Sequence, residues 1–187
     1  MKYILKPSIT LLLTAVITVA ALSFVHEITL KPIEEQKRKS REMAMKEVMP
    51  RATSFNEIQV NMSGSMTAVF EGLLDDITVG YVVQLSPEGY SGKINLIVGI
   101  SVLTETLLGM RVIQHTETPG LGALAVKSNF YTQYDSRTLS PLRVVKSSPG
   151  EHDIQVITSA TITTVAITKA VNEAMEWFKK EVKNEIY

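Results

Sequence analysis

The sequence predicts an α+β protein: a single N-terminal transmembrane helix, then a domain with an antiparallel sheet and flanking helices. Three observations predict it. An uncharged apolar run occupies the start of the chain. Strand-length apolar segments, punctuated by Gly and Pro, fill the middle. A long amphipathic segment closes the end.

Composition narrows the possibilities. The 187 residues leave about one domain once a membrane segment is set aside. A formal net charge of +0 gives no footprint for nucleic acid. The absence of cysteine excludes a disulfide scaffold, a thiolate zinc site and an iron–sulfur cluster bound by this chain. His26, His115 and His152 stand far apart and outside metal-ligand spacings, so no metal site is expected.

The apolar run, "PSITLLLTAVITVAALSFV", extends from Pro7 to Val25 between Lys6 and Glu27. A helix needs roughly 20 apolar residues to cross the hydrocarbon core. A lone segment satisfies its backbone in lipid only as a helix. Lys2 and Lys6 also suit a signal peptide, but the run is long for one and Ala20-Ala21 is a poor cleavage site. We therefore expect residues 7-26 to form a retained span after a short N-terminal end, residues 1-6. Lys31, Lys37, Arg38, Lys39 and Arg41 follow the span, so a literal positive-inside count places the domain in the cytoplasm. Glu27, Glu34, Glu35 and Glu42 are interspersed, and a translocated domain need not obey the count, so charge alone leaves orientation open.

Residues 27-50 read as a mostly solvated linker helix, with Ile33, Met43, Met45 and Val48 among charges and Pro50 as its stop. The domain is expected over 51-187. From Ser54 the pattern turns to strands: "MTAVFEG", "ITVGYVVQL", then "KINLIVGISV" after a loop marked by Pro87, Gly89 and Gly92. "GMRVIQHTE" is a further strand leaving Gly109. "LGALAVKSNFYTQY" reads as helical, with Leu124, Phe130 and Tyr134 inward. "LRVVK" and "DIQVIT" are short strands. "TVAITKAVNEAMEWFKKEVKNEI" is an amphipathic helix whose inner face carries Ile167, Ala170, Val171, Ala174, Met175 and Phe178. There is no internal repeat, no GxGxxG and no Walker-type loop.

Two segments carry chemistry. "HTETPGLGA", residues 115 to 123, has a Pro119-Gly120 turn and a backbone left accessible by Gly122. Such a turn lets main chain approach a flat ligand closely, with Glu117 and Thr118 at the edge. An ordinary strand-to-helix turn would look the same in composition. "QVITSATIT", residues 155 to 163, opens a helix on threonines, which are mediocre helix formers. A helix start offers unpaired N–H groups and partial positive charge, which suits a phosphate. Ordinary capping of a Thr-rich strand end is the alternative.

Together the two segments resemble the signature of the FMN-binding domain family, found in the G subunit of the Rnf complex and in the C subunit of sodium-pumping NADH:quinone oxidoreductase. "HTETPGLG" closely resembles the first motif. Gln155 to Thr163 lies where the family has D-x-[IL]-[ST]-G-A-T-x-[ST]. "GYVVQLSPEGYSGKINLIVGIS" is similar to its central hairpin, and "FYTQYDSRTLSPLRVVK" to the link between motifs. The resemblance covers nearly the whole chain, span included. Gln155 stands where the family has Asp, and Ser159 where it has Gly.

The resemblance implies that Thr161 carries FMN as a phosphoester made by a dedicated flavin transferase. It implies Thr158, Ser159, Ala160, Thr163 and Thr164 around the phosphate, and Glu117, Thr118, Gly120, Leu121 and Gly122 along the flavin ring. It implies a single-pass protein of the cell (inner) membrane, with residues 1-6 as a cytoplasmic end and an extracytoplasmic domain. Its partners would be the other membrane and redox subunits of an ion-translocating ferredoxin:NAD oxidoreductase, and the lipid bilayer. Such a protein transfers electrons but is not a complete enzyme, and no catalytic side chain is expected, because the flavin supplies the redox chemistry. The C subunit of the quinone reductase, and a structural subunit that has lost its flavin, are the alternatives.

Overall fold

The structure, a computed structural model, describes residues 2–183. The chain divides into two compact units, with the boundary between Ser40 and Arg41. The second unit thus starts at Arg41, ahead of the boundary expected at residue 51.

The first unit is helical. Helix α1 spans Lys2–Val48. Its large apolar side chains from Ile9 to Val25 are exposed, Leu11 at 74% and Phe24 at 67%. A surface apolar on all sides suits lipid better than water. Thr10, Thr14 and Thr18 donate their hydroxyls to the carbonyls of Lys6, Leu11 and Thr14, so these polar groups are satisfied within the helix. Among the described residues, α1 is the helix long and apolar enough to cross a membrane. The expected break into a span and a separate linker helix does not occur. Pro32 lies inside α1. It forfeits one backbone bond, but good helix formers such as Glu34, Glu35 and Lys37 follow it, and Lys39 pairs with Glu35 one turn back at 2.9 Å.

The second unit is a sheet covered on both faces. Strands β1 (Ser54–Ile58), β2 (Met66–Leu74), β3 (Ile77–Leu85), β4 (Ile94–Ser101), β5 (Thr106–His115) and β6 (Arg137–Thr138) form a 6-stranded antiparallel meander in chain order. Strands β7 (Arg143–Val145) and β8 (Asp153–Gln155) pair in parallel. Strand β5 starts earlier than Gly109, because Ser101↔Thr106 and Ile100↔Leu107 already pair across the turn.

Between β5 and β6 the chain makes three short turns: a 3₁₀ helix over Gly122–Val126, α2 (Ser128–Tyr131) and a 3₁₀ helix over Thr132–Tyr134. Phe130 and Tyr134 are buried as expected. Leu124 is 37% exposed, and Ala125 takes the inward place. The tighter 3₁₀ winding changes which residue faces the core.

Helix α3 (Thr161–Trp177) packs on one face of the sheet. Ile167, Ala170, Val171, Ala174, Met175 and Phe178 are all buried there, against Val83, Leu85, Leu96, Val98 and Ile100. Beyond Trp177 the chain continues as a π-helix, Phe178–Lys183. The predicted helix residues 184–186 lie outside the described residues.

The end of α1 covers the opposite face. Ala44, Met45, Val48 and Met49 are buried with Phe70, Val79, Val82 and Ile97. Met45 and Val48 are therefore core residues, contrary to the solvated helix expected of them; Met43 stays 60% exposed. Close approach is possible because the sheet presents glycines to the helix. A Cβ on Gly99 would sit 3.1 Å from Val48 Cβ, and one on Gly80 would sit 2.6 Å from Met49 Cε.

Candidate functional site

The loop after β5 is organised by a buried carboxylate. Glu117 is 5% exposed. Its Oε1 accepts the backbone N–H groups of Tyr90 and Ser91, both at 2.9 Å. Its Oε2 accepts the Thr163 hydroxyl at 2.5 Å. Its own N–H donates to His115 Nδ1 at 3.2 Å. One side chain thus joins the loop between β3 and β4, the loop after β5 and the first turn of α3. Gly122 leaves room for this arrangement. A Cβ there would collide with the Glu117 carboxylate and lie 2.7 Å from Thr163 Oγ1.

The start of α3 is open. Ala160 is its N-cap residue, and no side chain among the described residues caps it. Thr158 and Ser159 therefore do not serve as caps, which sets aside the capping alternative. Ser159, one residue before the N-cap, has φ +63°. The first intrahelical bond runs from Thr164 N–H to Ala160 O at 3.1 Å. Thr164 is fully buried; its hydroxyl donates to Ala160 O and accepts the N–H of Ile157. Thr164 is thus committed to holding the strand-to-helix turn and has no hydroxyl to offer a ligand. Thr161 is exposed at the first helical position.

These two openings share one cavity of about 380 Å³. It brings together Glu117, Thr118, Leu121 and Gly122 from the first motif with Ser159, Ala160, Thr161 and Thr163 from the second. Thr158, Gly120 and Thr164 do not line it. Gly120, with φ +78°, makes the turn beside it. Tyr90 and Ile162 line the cavity and were not expected. The signal for Tyr90 was present in "EGYSG", where an aromatic residue stands in a glycine-rich loop. A larger hollow of about 460 Å³, beside Ile58, Tyr81 and Trp177, contains none of the motif residues.

Gln155 lies outside the cavity; its N–H donates to Gln133 Oε1 at 2.7 Å. The nearby Asp153 accepts from Gly150 N–H and pairs with Arg143 at 3.1 Å, so it is engaged in the turn before β8.

Comparison with known proteins bears on what this cavity serves. A family model described as the FMN-binding domain matches residues 89–176, and one described as the RnfG N-terminal region matches residues 1–48. The G subunit of the Na(+)-translocating ferredoxin:NAD(+) oxidoreductase complex of Acetobacterium woodii is 30% identical, covering 95% of this chain and 93% of that relative. The G subunit of the ion-translocating oxidoreductase complex of Salmonella typhimurium is 32% identical over 93% of this chain and 90% of its own.

The chain belongs to the RnfG family.

The fold is shared more widely. The C subunit of the Na(+)-translocating NADH-quinone reductase of Parabacteroides distasonis superposes with a TM-score of 0.59 at 16% identity, over 81% of this chain and 96% of that one. Shewanella oneidensis NqrC superposes with a TM-score of 0.52 at 19% identity, over 68% and 67%. In this member of the RnfG family, Ser159 takes a left-handed backbone position, where glycine is the residue of least strain.

The cavity fits a flavin mononucleotide. Its volume lies in the ~300–1,000 Å³ range of small-ligand sites. Leu121, Ile162 and Tyr90 give it apolar and aromatic walls at 40%, 56% and 71% exposure. The uncapped start of α3 offers backbone N–H groups of the kind that bind phosphate.

Proposed function

We propose that this RnfG-family protein holds FMN in the cavity between its two motifs, esterified through phosphate to the Thr161 hydroxyl. In this role it passes electrons within an ion-translocating ferredoxin:NAD oxidoreductase complex. The observation that carries the reading is an exposed threonine at an uncapped helix start, inside the cavity that both motifs line. FMN supplies the redox chemistry.

The chain's own residues supply placement. The first turn of α3 presents N–H groups to the phosphate. Thr161 Oγ1 would be the tether: with a flavin dinucleotide as the transferase's donor, the new Thr–O–P bond would replace the pyrophosphate bond, and AMP and the hydroxyl proton would leave. Leu121, Ile162 and Tyr90 exclude water from the ring. Glu117 fixes the distance between the loops and the helix start. A tether keeps the cofactor with its domain where a lost flavin could not be replaced.

The same reading places the domain outside the cytoplasm, with α1 as a single-pass anchor in the cell membrane. Its partners are then the other membrane and redox subunits, a flavin transferase during maturation, and lipid. The match of residues 1–48 to the RnfG N-terminal region favours this complex over the quinone reductase, whose NqrC component shares the fold.

Coexpression of the full chain with a flavin transferase, followed by a denaturing gel viewed under ultraviolet light, tests the covalent flavin. A fluorescent band at the mass of the chain is expected. A dark band from flavin-replete, transferase-positive cells contradicts it and leaves a purely structural role. Protease treatment of right-side-out vesicles tests the topology: the domain should be clipped there and protected in inverted vesicles.

A further inference from the structure

The motif residues that line the cavity contribute no aromatic side chain to it. Among the lining residues, Leu121 and Ile162 are aliphatic and Gly122 has no side chain. The aromatic side chain on the lining is Tyr90, from the loop between β3 and β4. Its exposure is unusual for an ordered aromatic residue: 71% of its surface is open, although its backbone is tightly held.

That hold comes from several directions. Tyr90 N–H and the next N–H, of Ser91, both donate to Glu117 Oε1 at 2.9 Å. Gly89 N–H donates to Gly92 O at 2.8 Å, which closes the loop beneath Tyr90. Thr116 Oγ1 donates to Ser91 O at 3.3 Å. Gly89 and Gly92 leave room: a Cβ on Gly89 would lie 2.5 Å from Glu117 Oε1, and one on Gly92 would lie 2.6 Å from Thr116 Oγ1. A loop built only to turn between strands has no need of a buried carboxylate and an exposed ring. A fixed backbone with a free aromatic face is what a stacking wall requires, because a planar ligand then completes the burial of the ring.

We propose that Tyr90 is the aromatic wall against which the flavin ring stacks, and that Glu117 is the positioning residue that holds Tyr90 there. The inference rests on the flavin reading above. It adds a residue from a third segment of chain, and it gives Glu117 a role through Tyr90 and Thr163 in place of direct contact with the ring.

The test uses full-length protein coexpressed with a flavin transferase, and it reads flavin content separately from flavin fluorescence. A tyrosine stacked on a flavin quenches its emission. Tyr90→Ala should raise emission per attached flavin several-fold, whatever the total amount attached. Tyr90→Trp should keep it quenched. Glu117→Ala should raise emission as Tyr90→Ala does, and the double variant should add little to either. Where Glu117→Ala folds poorly, Glu117→Gln serves instead, since its amide oxygen still accepts the two backbone N–H groups and emission should stay low. In flavin-free wild-type protein, amide exchange at Tyr90 and Ser91 should be slow, and Glu117→Ala should speed it.

Equal emission per flavin in wild type and Tyr90→Ala overturns the stacking wall. Unchanged exchange at Tyr90 and Ser91 in Glu117→Ala overturns the positioning role. No flavin on the wild-type chain overturns the underlying reading and this inference with it, a result distinct from a flavin that is present but indifferent to Tyr90.

Discussion

The Thr163 hydroxyl donates to Glu117 Oε2 at 2.5 Å, across 46 residues of chain. Both partners are buried, at 1% and 5% exposure. In sequence the two motifs are separate; this bond makes them two walls of one cavity. Hydrogen bonds to a carboxylate inside a protein contribute about 1.5–3 kcal/mol each. Thr163→Val keeps the shape and removes the donor. It should lower unfolding free energy by about 1–3 kcal/mol in urea titration, through the lost bond and the carboxylate oxygen left short of a partner. An unchanged midpoint would mean that the bond does not hold the loops together.

Gly122 is next to this pair. Its absent side chain is replaced in space by Glu117 and Thr163. Gly122→Ala should therefore displace the carboxylate, with a cost of about 1–3 kcal/mol from overpacking. The damage should show in flavin-free protein as well. A melting temperature equal to wild type without flavin, with loss confined to the flavin-bound form, would place the defect at the ligand instead.

Ser159 carries φ +63° directly before the open helix start. A non-glycine residue there costs roughly 1–2 kcal/mol, partly offset by the greater freedom of glycine in the unfolded chain. Ser159→Gly should leave stability unchanged or raise it by up to about 1 kcal/mol, and should not reduce covalent flavin yield. A fall in yield would show that the serine side chain takes part in attachment.

Strands β2 to β5, β7 and β8, and α3, were legible because their patterns are local; β1 and the two-residue β6 carry too little apolar sequence to be read. Short apolar runs bounded by Gly and Pro mark β3 and β4, and the 3.6-residue period marks the buried face of α3. The role of the end of α1 was not legible. Met45 and Val48 sit among charges, and they are buried against a sheet far along the chain, where Gly99 leaves room for Val48 and Gly72 and Gly80 leave room for the adjacent Met49. The two motifs could be read, but their division of labour could not. Thr158, Ser159, Thr161, Thr163 and Thr164 all present hydroxyls, and only three-dimensional contacts separate the exposed Thr161 from Thr163, tied to Glu117, and Thr164, tied to the backbone. Tyr90 escaped notice because the loop bond that fixes it comes from Glu117.

Thr168 shows a further use of a helical hydroxyl. It donates to Thr164 O at 2.9 Å, so the Tyr134 hydroxyl is the donor in their 2.8 Å contact. Burial holds the Tyr134 hydroxyl well above the usual tyrosine range, and the bond to Thr168 pulls the other way. A raised value in the folded state means that folding favours the protonated phenol. This contribution is complete below the ordinary tyrosine value of about 10 and is lost as pH rises through the folded value. The wild type should lose stability above about pH 10 more steeply than Tyr134→Phe. At neutral pH the variant should cost about 1 kcal/mol. Parallel alkaline curves for the two proteins would contradict the assignment.

The central claim is the bond at Thr161. It stands at the first helical position, exposed in the cavity, where an ester would set phosphate oxygens beside free backbone N–H groups. Peptide mass spectrometry after coexpression with a flavin transferase tests it most directly. The account predicts an FMN-sized addition on Thr161 in the wild type, and its complete loss in a Thr161→Ala protein that still folds. An addition mapped to Thr158, Ser159, Thr163 or Thr164, or flavin retained covalently by Thr161→Ala, would contradict it.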